Sequence, residues 1–217
     1  MDPQRDSDYL LVKACQEPDG DRFEAAFEGL YKRYRDRVYS IAYRITGRSA
    51  DAMDVMQESF ALLFRKIGGF RFDAQFSTWL FRIVVNCSID HMRRERSRGA
   101  TRLGSLSQLP NSAEPAQDDA QGPSQRAEHR ELGDHVQDSI QKLSPKLRAI
   151  LVLRYLEGQT YEELSATLAV SMGTVKSRLA RAHLAMGRVL RGSLEAHGMT
   201  EIADDGDSDP RVTEGVA

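Results

Sequence analysis

The chain has 217 residues, 41% hydrophobic and 29% charged, with 30 basic and 32 acidic side chains. This length allows one large or two small domains, and the net charge of −2 does not by itself indicate a nucleic-acid or membrane partner. The two cysteines form neither a disulfide framework nor a zinc-binding pattern. The longest aliphatic run, 149–153, is far shorter than the about 18 apolar residues of a membrane span. Because no signal peptide is evident either, we expect a cytoplasmic protein without a membrane span.

The charge is distributed unevenly along the chain. Residues 22–98 carry a net charge of +6 and residues 136–192 carry +5, whereas the remaining three segments are acidic. Two basic blocks are therefore separated and flanked by acidic segments. Within the middle acidic segment, residues 103–125 contain three of the seven prolines and no basic side chain. Such a composition buries too little apolar surface to fold, so it predicts a linker.

These features predict two domains with a flexible acidic linker and a disordered acidic tail. We expect the first domain over residues 7–98, the linker over 99–129, the second domain over 130–192 and the tail over 193–217.

Apolar residues recur every three or four positions throughout the first domain. This period predicts three helices, over 23–45, 52–67 and 76–87, with Gly47 and Gly68 as stops after the first and second. Strand-type alternation is absent from the sequence. The predicted fold class is therefore all-α, with two small helical domains joined by the linker.

The second domain contains clear signals for helix starts. Ser144 and Pro145 form an N-cap followed by proline at the first helical position. Thr160 and Glu163 have the spacing of a capping box, and Ser171 is suited to cap the next helix. Two short helices joined by a tight turn are typical of a helix-turn-helix. We expect the core side of its second helix to consist of Val175, Leu179 and Ala182.

The opposite side of that second helix is polar and basic. The helical period places Thr174, Lys176, Ser177 and Arg181 on it, with Arg178 at its edge. A helix in the DNA major groove needs such side chains, because some contact base edges and others neutralise phosphates. A basic face that contacts only solvent is the alternative interpretation.

The second predicted helix has the opposite charge. Asp51, Asp54 and Glu58 form an acidic stripe, with Gln57 beside it and Phe60 beneath. An acidic face repels DNA, so a protein partner is the functional interpretation. A solvated face of an amphipathic helix is the alternative.

The third predicted helix is rich in arginine. Arg82, Asn86 and Asp90 lie on one stripe, followed by Arg93 and Arg94. Aromatic side chains stand in and beside the preceding loop. Arginines that follow phosphates, together with aromatic rings that stack on bases, are typical of sites for a separated DNA strand.

Several ordered motifs now carry a family resemblance. The string GQTYEELSATLAVSMGTVKSRLARA (158–182) resembles the C-terminal domain of bacterial extracytoplasmic-function (ECF) sigma factors, although response regulators have a similar TVK-containing helix. The first domain distinguishes these families. Its segments LYKRYRDRVYSIAYRITG, DAMDVMQESF and FSTWLFRIVVNCSIDHMRRERSR resemble successive parts of the sigma factor N-terminal domain.

The resemblance implies a transcription initiation factor that is not an enzyme. Its acidic stripe would bind bacterial core RNA polymerase at the clamp coiled coil of the largest subunit. The third helix and loop 68–75 would recognise the −10 element and its melted strand, and the helix-turn-helix would bind the duplex −35 element. An anti-sigma factor would control the protein.

Two alternatives remain open from the sequence. The first is a conventional helix-turn-helix regulator with an N-terminal sensor or dimerisation domain, and the second is an adaptor that binds polymerase without promoter activity. The five histidines have no metal-ligand spacing, so we expect no metal and no cofactor. The turn before the recognition helix has Ala169 where this family usually has glycine.

Overall fold

A computed structural model describes residues 3–17, 20–101 and 136–196. Every regular element in these ranges is helical, which confirms the all-α class. Most of the predicted linker, and the predicted tail beyond residue 196, lie outside the described residues. The helices are α1 (Pro3–Ala14), α2 (Gly20–Thr46), α3 (Ser49–Lys66), α4 (Phe76–Thr101), α5 (136–141), α6 (Pro145–Leu151), α7 (Tyr161–Leu168) and α8 (Met172–Ala196).

Helices α2, α3 and α4 form the core of the first domain, as the apolar period predicts. Gly47 adopts a φ of 86°, a left-handed conformation that ends α2 at little cost for glycine. Helix α3 passes into a short 3-10 turn over Ile67–Gly69 before the loop to α4. The fully buried side chains include Leu30, Tyr34, Ile41, Ile45, Leu63 and Leu80.

Helix α1 is an element that the sequence analysis did not predict. Its apolar residues, 9–12, are consecutive and show no helical period. In the fold, Val12 is fully buried, and the hydroxyl of Tyr34 donates to the carboxylate of Asp8. Arg33 donates to the same carboxylate at 2.7 Å. These contacts fix α1 along α2.

The second domain begins its helices at the predicted caps. Ser144 has extended backbone at the N-cap of α6, but its side chain makes no capping bond. Helix α6 continues as one π-helical turn over Val152–Leu156. The capping box is confirmed, because the Thr160 hydroxyl accepts from the Glu163 N–H at 3.2 Å and the Glu163 carboxylate accepts from the Thr160 N–H at 2.9 Å.

The helix-turn-helix consists of α7, a tight turn and α8. Ala169 has φ 51° and ψ 50°, a left-handed conformation. The glycine that is usual at this position in the family that the sequence resembles suggests the same conformation. A side chain with a Cβ pays about 1 kcal/mol there. Ser165 supports the turn by donating to the carbonyl of Val170 at 2.6 Å. The predicted core side of α8 is confirmed by the burial of Val175, Leu179 and Ala182.

The two domains pack against each other. Helix α6 contacts the end of α2, and α7 contacts α4. Side chains separated by about a hundred positions along the sequence form hydrogen bonds across this boundary. The contact places the helix-turn-helix beside the loop that precedes α4.

Candidate polymerase and nucleic-acid interfaces

The basic face of α8 is open to solvent. Lys176, Ser177 and Arg181 are exposed, and Thr174 and Arg178 are half-buried at its edges. Arg181 donates to the backbone carbonyl of Ser177 at 3.2 Å, which holds its stem along the helix. Within the described ranges, none of the three basic side chains has an acidic partner. Their charge is therefore available for phosphates.

The acidic stripe of α3 is divided between two directions. Asp54 and Gln57 are exposed and point away from the neighbouring helices. Asp51 lies 3.3 Å from Nε2 of His91, and Glu58 accepts from Arg94 at 2.8 Å, so both carboxylates face α4. Only part of the predicted stripe thus forms an outward acidic surface.

Phe60 occupies a different position from its polar neighbours. Phe60 is only 6% exposed, and its ring packs edge-on against the Tyr31 ring with the two ring centroids 4.7 Å apart. The ring therefore supports the α3 surface from below.

An exposed aromatic group extends the outer surface of α3. Phe64 is 56% exposed and packs edge-on against Phe23 and Phe27, at centroid distances of 5.1 and 5.4 Å. Met53 is also exposed on this helix. The apolar period does not single out Phe64, although a phenylalanine at the edge of the apolar stripe is a detectable signal.

The arginines of α4 are largely paired with acids. Arg93 lies 3.1 Å from Asp90 on its own helix, and Arg94 is bound to Glu58 of α3. The hydrogen bond and the charge of Glu58 raise the pKa of Arg94. Asn86 and Asp90 are exposed. The structure thus joins two predicted sites, because the acidic stripe and the arginine-rich helix share the Glu58–Arg94 pair.

A cavity of about 290 Å³ lies between the loop and α4. Arg82, Trp79 and Phe70 line it, together with Ala166 of α7. The Phe70 and Trp79 rings are 5.0 Å apart, and Trp79 is half-buried. Aromatic rings beside a guanidinium suit an unpaired base and its phosphate. We call this the Trp79 cavity.

In the part of the chain that the structure describes, the remaining titratable groups give no sign of a reactive centre. Burial raises the pKa of Cys15 to about 11 and also raises that of Cys87, so both thiols stay protonated at neutral pH. Among the described residues, no group of histidine, cysteine and carboxylate side chains is placed to hold a metal ion. No helix in the described ranges has the length and apolarity needed to cross a membrane.

Comparison with known families assigns both domains. Residues 30–98 match Sigma-70 region 2, and residues 134–186 match Sigma-70 region 4. The ECF RNA polymerase sigma factor SigE of Mycolicibacterium smegmatis is 37% identical over 185 residues, which cover 81% of this chain and 68% of that protein. The chain belongs to the ECF sigma factor family. SigW of Bacillus subtilis is another relative and is 31% identical. The match covers 76% of this ECF sigma factor and 89% of SigW.

Solved structures show the same fold. The sigma factor RpoE, in complex with the anti-sigma factor NepR from Bartonella quintana, matches with a TM-score of 0.59 and 21% identity over 76% of this ECF sigma factor and 96% of that chain. CnrH, in complex with the cytosolic domain of CnrY, matches with a TM-score of 0.58 and 22% identity. The match covers 86% of this ECF sigma factor and 98% of the CnrH chain.

Proposed function

We propose that this ECF sigma factor binds bacterial core RNA polymerase and directs it to promoters, with the N-terminal domain on the −10 element and the C-terminal domain on the −35 element. One observation supports the assignment of different partners to the two domains. The chain presents an acidic and aromatic surface on α3 and, in a different domain, a basic face on α8 that has no acidic partner among the described residues. The first surface suits a protein partner and the second suits duplex DNA.

The polymerase-binding residues lie on α3. In this proposal the exposed Asp54 and Gln57 contact the polymerase directly, and Phe64 adds apolar area beside them. Phe60 holds the surface from beneath. Asp51 and Glu58 contribute from the edge, where they also bind α4.

The −10 element is assigned to α4 and the loop before it. Asn86 and Asp90 face solvent, and Arg82 lines the Trp79 cavity, where it contacts the melted strand in this proposal. Arg93 and Arg94 bind phosphates. Both are engaged by carboxylates, so each exchanges an acid for a phosphate when DNA binds.

The −35 element is assigned to the basic face of α8. Thr174, Lys176, Ser177, Arg178 and Arg181 lie on or beside it and enter the major groove of duplex promoter DNA. The capping box of α7 and the Ala169 turn set the angle of α8.

The proposed partners follow from the same assignment. They are core RNA polymerase, duplex promoter DNA, the melted −10 strand and an anti-sigma factor, the class of protein bound to the RpoE relative. The proposed site of action is the cytoplasm, and we assign the chain no enzymatic activity.

Run-off transcription tests this function. Purified protein is mixed with bacterial core polymerase and a library of genomic promoter fragments, and transcripts that require the protein are expected. No dependent transcript from any fragment would contradict the proposal. Binding to a palindromic operator without polymerase would instead indicate a conventional regulator.

A single substitution tests the polymerase surface. Asp54→Arg should abolish holoenzyme formation in a pull-down with core polymerase, because a cation replaces an exposed carboxylate that has no ion pair within the described ranges. Glu58 is less suitable, since its reversal also repels Arg94. Glu24→Arg, the same charge change at another exposed position, on α2, serves as the matched control and should bind normally.

A further inference from the structure

Loop 70–75, which precedes α4, contains a strained backbone position. Phe72 has a φ of 59°, a left-handed conformation that is rare for a bulky side chain. Such strain persists only where surrounding contacts fix it, and it is most common at functional sites. Both neighbours of Phe72, Arg71 and Asp73, line the Trp79 cavity and form an ion pair at 3.1 Å. The conformation of Phe72 therefore decides which side chains the loop presents to the cavity.

The Phe72 ring is held by side chains of α1. Its centroid lies 5.0 Å from that of the Tyr9 ring, at an interplanar angle of 52°. The Lys13 ammonium lies 5.2 Å from the centre of the Phe72 ring and 5.8 Å from that of the Tyr9 ring. Aromatic pairs and cation–π contacts at these distances are attractive. Because Tyr9 and Lys13 are one helical turn apart, they reach the ring from the same face of α1.

Gln16, two residues after the end of α1, holds the backbone at the entry to the loop. Its side-chain Nε2 donates to the carbonyl of Phe70 at 2.7 Å and to that of Ile67 at 3.1 Å. Carbonyls that follow a helix end have no partner further along the helix, so a side-chain donor stabilises them. One amide group thus fixes where loop 70–75 begins. We call Tyr9, Lys13 and Gln16 the α1 support.

Helix α1 is fixed to the core of the first domain. Val12 and Cys15 are buried, and the carboxylate of Asp8 accepts hydrogen bonds from Tyr34 and Arg33 of α2. A shift of α1 would leave this buried carboxylate without its partners, which is costly. Helix α1 is therefore a rigid base for its contacts with the loop.

The ring contacts continue from Phe72 to the cavity. The Phe70 ring lies 4.9 Å from the Phe72 ring and 5.0 Å from the Trp79 ring, measured between ring centroids. Tyr9, Phe72, Phe70 and Trp79 thus form a continuous series of rings from α1 to the cavity wall. A change of the loop at Phe72 therefore reaches the side chains that line the cavity.

We propose that the α1 support positions loop 70–75 and thereby decides which bases of the −10 strand the Trp79 cavity accepts. It acts through Phe72, whose left-handed conformation places the adjacent Arg71 and Asp73 at the cavity. The support residues are positioning residues and do not contact DNA themselves. The inference rests on the proposed function for what the cavity binds, whereas the hold on the loop is a property of the free chain.

Limited trypsin digestion tests the hold on the loop in the free protein. Trypsin cleaves after arginine, and Arg71 is an exposed residue of loop 70–75. Cleavage after Arg71, measured by mass spectrometry, should be about fivefold faster in Tyr9→Ala and in Gln16→Met, because each variant removes a contact that fixes the loop. Tyr9→Phe retains the ring and should be cleaved like the wild type.

Two controls separate loosening of the loop from general damage. Leu10→Ala truncates an exposed side chain of α1 next to Tyr9 and should leave cleavage after Arg71 unchanged. Cleavage after Arg48, an exposed residue between α2 and α3, should be the same in every variant. An equal rise at both arginines would indicate general unfolding and would overturn the proposal.

A double variant tests whether the support acts through Phe72. In the background of Phe72→Ala, Tyr9→Ala should cause no further increase in cleavage after Arg71, because the ring that Tyr9 contacts is already absent. Additive effects of the two substitutions would show that Tyr9 acts elsewhere, and the proposal would then be wrong.

Base discrimination by the holoenzyme tests the consequence for recognition. Open-complex formation is compared between a promoter identified by run-off transcription and versions of it with one −10 base changed. The ratio between the original and the changed promoter should fall about fivefold in Gln16→Met and Tyr9→Ala. A smaller folded fraction would lower both rates by the same factor and leave the ratio unchanged.

An unchanged ratio in both variants would overturn the proposal, as would unchanged cleavage after Arg71. Failure of the proposed function is distinguishable from either result. It appears as absent run-off transcripts with the wild-type protein, whereas the cleavage rates of the free protein still test the hold on the loop.

Discussion

The two candidate DNA-binding helices, α4 and α8, differ in how their positive charge is held. On α4, Arg93 and Arg94 are paired with Asp90 and Glu58. On α8, the basic side chains have no acidic partner in the described chain, and the face is exposed. Helix α7 packs against α4 near Trp79 and Arg82, whereas the basic side of α8 is exposed.

This difference separates two kinds of DNA recognition. A face of unpaired cations can bind duplex phosphates as soon as it meets them. Arginines held by carboxylates gain less from DNA, because each must first give up an acidic partner. Under the proposed assignment, the exposed cations of α8 can therefore meet duplex DNA directly, whereas Arg93 and Arg94 of α4 must first exchange their carboxylate partners.

The largest effect is expected on α8. Lys176→Glu with Arg181→Glu should weaken binding of a −35 duplex by about a hundredfold, since each lost contact of this kind costs about 1–3 kcal/mol. Fluorescence anisotropy of the full chain measures it. Arg188→Glu, an exposed arginine further along the same helix, is the matched control and should have a small effect. Equal losses for both variants would indicate nonspecific attraction in place of a defined face.

A smaller effect is expected on α4. Arg82→Ala should lower open-complex formation by the holoenzyme about tenfold, because it removes the cation beside the Trp79 cavity. Arg93→Ala should lower it only about twofold, since Asp90 already neutralises that side chain. Potassium permanganate footprinting of the melted strand measures both. If Arg93 proved the more important of the two, the contrast between Arg82 and the paired arginines would be wrong.

The smallest effect concerns the turn that positions α8. Ala169→Gly should stabilise the protein by about 1 kcal/mol, because glycine adopts a left-handed backbone without a steric cost. Urea denaturation monitored by circular dichroism measures the free energy of unfolding. Affinity for the −35 duplex should not change, and a loss of affinity would show that this strain also sets the angle of α8.

The sequence predicted most elements of the fold, because helix periods and caps are local. The stop at Gly47, the capping box of Thr160 and Glu163, and the inward side of α8 are confirmed for this reason. Helix α1 was missed because its apolar residues are consecutive and are sorted only by packing on α2.

The candidate sites were only partly predictable. The exposed face of α8 follows from its period, but the pairing of Glu58 with Arg94 depends on how α3 packs against α4. The Arg37–Glu157 pair joins residues 120 positions apart, so no local pattern indicates it. Arg148 directly precedes the apolar run 149–153. An arginine in such a position is a signal of a buried charge.

The distance between the two domains tests most directly whether they separate when core polymerase and promoter DNA bind. Spin labels are placed at Lys32→Cys and Ala180→Cys, which are exposed positions of α2 and α8, while the two native cysteines are buried. Electron–electron double resonance should give one short distance in the free protein and a longer one in the holoenzyme on promoter DNA, because the −10 and −35 elements are about 25 base pairs, or about 85 Å, apart along B-DNA. The same distance in both states would contradict the account.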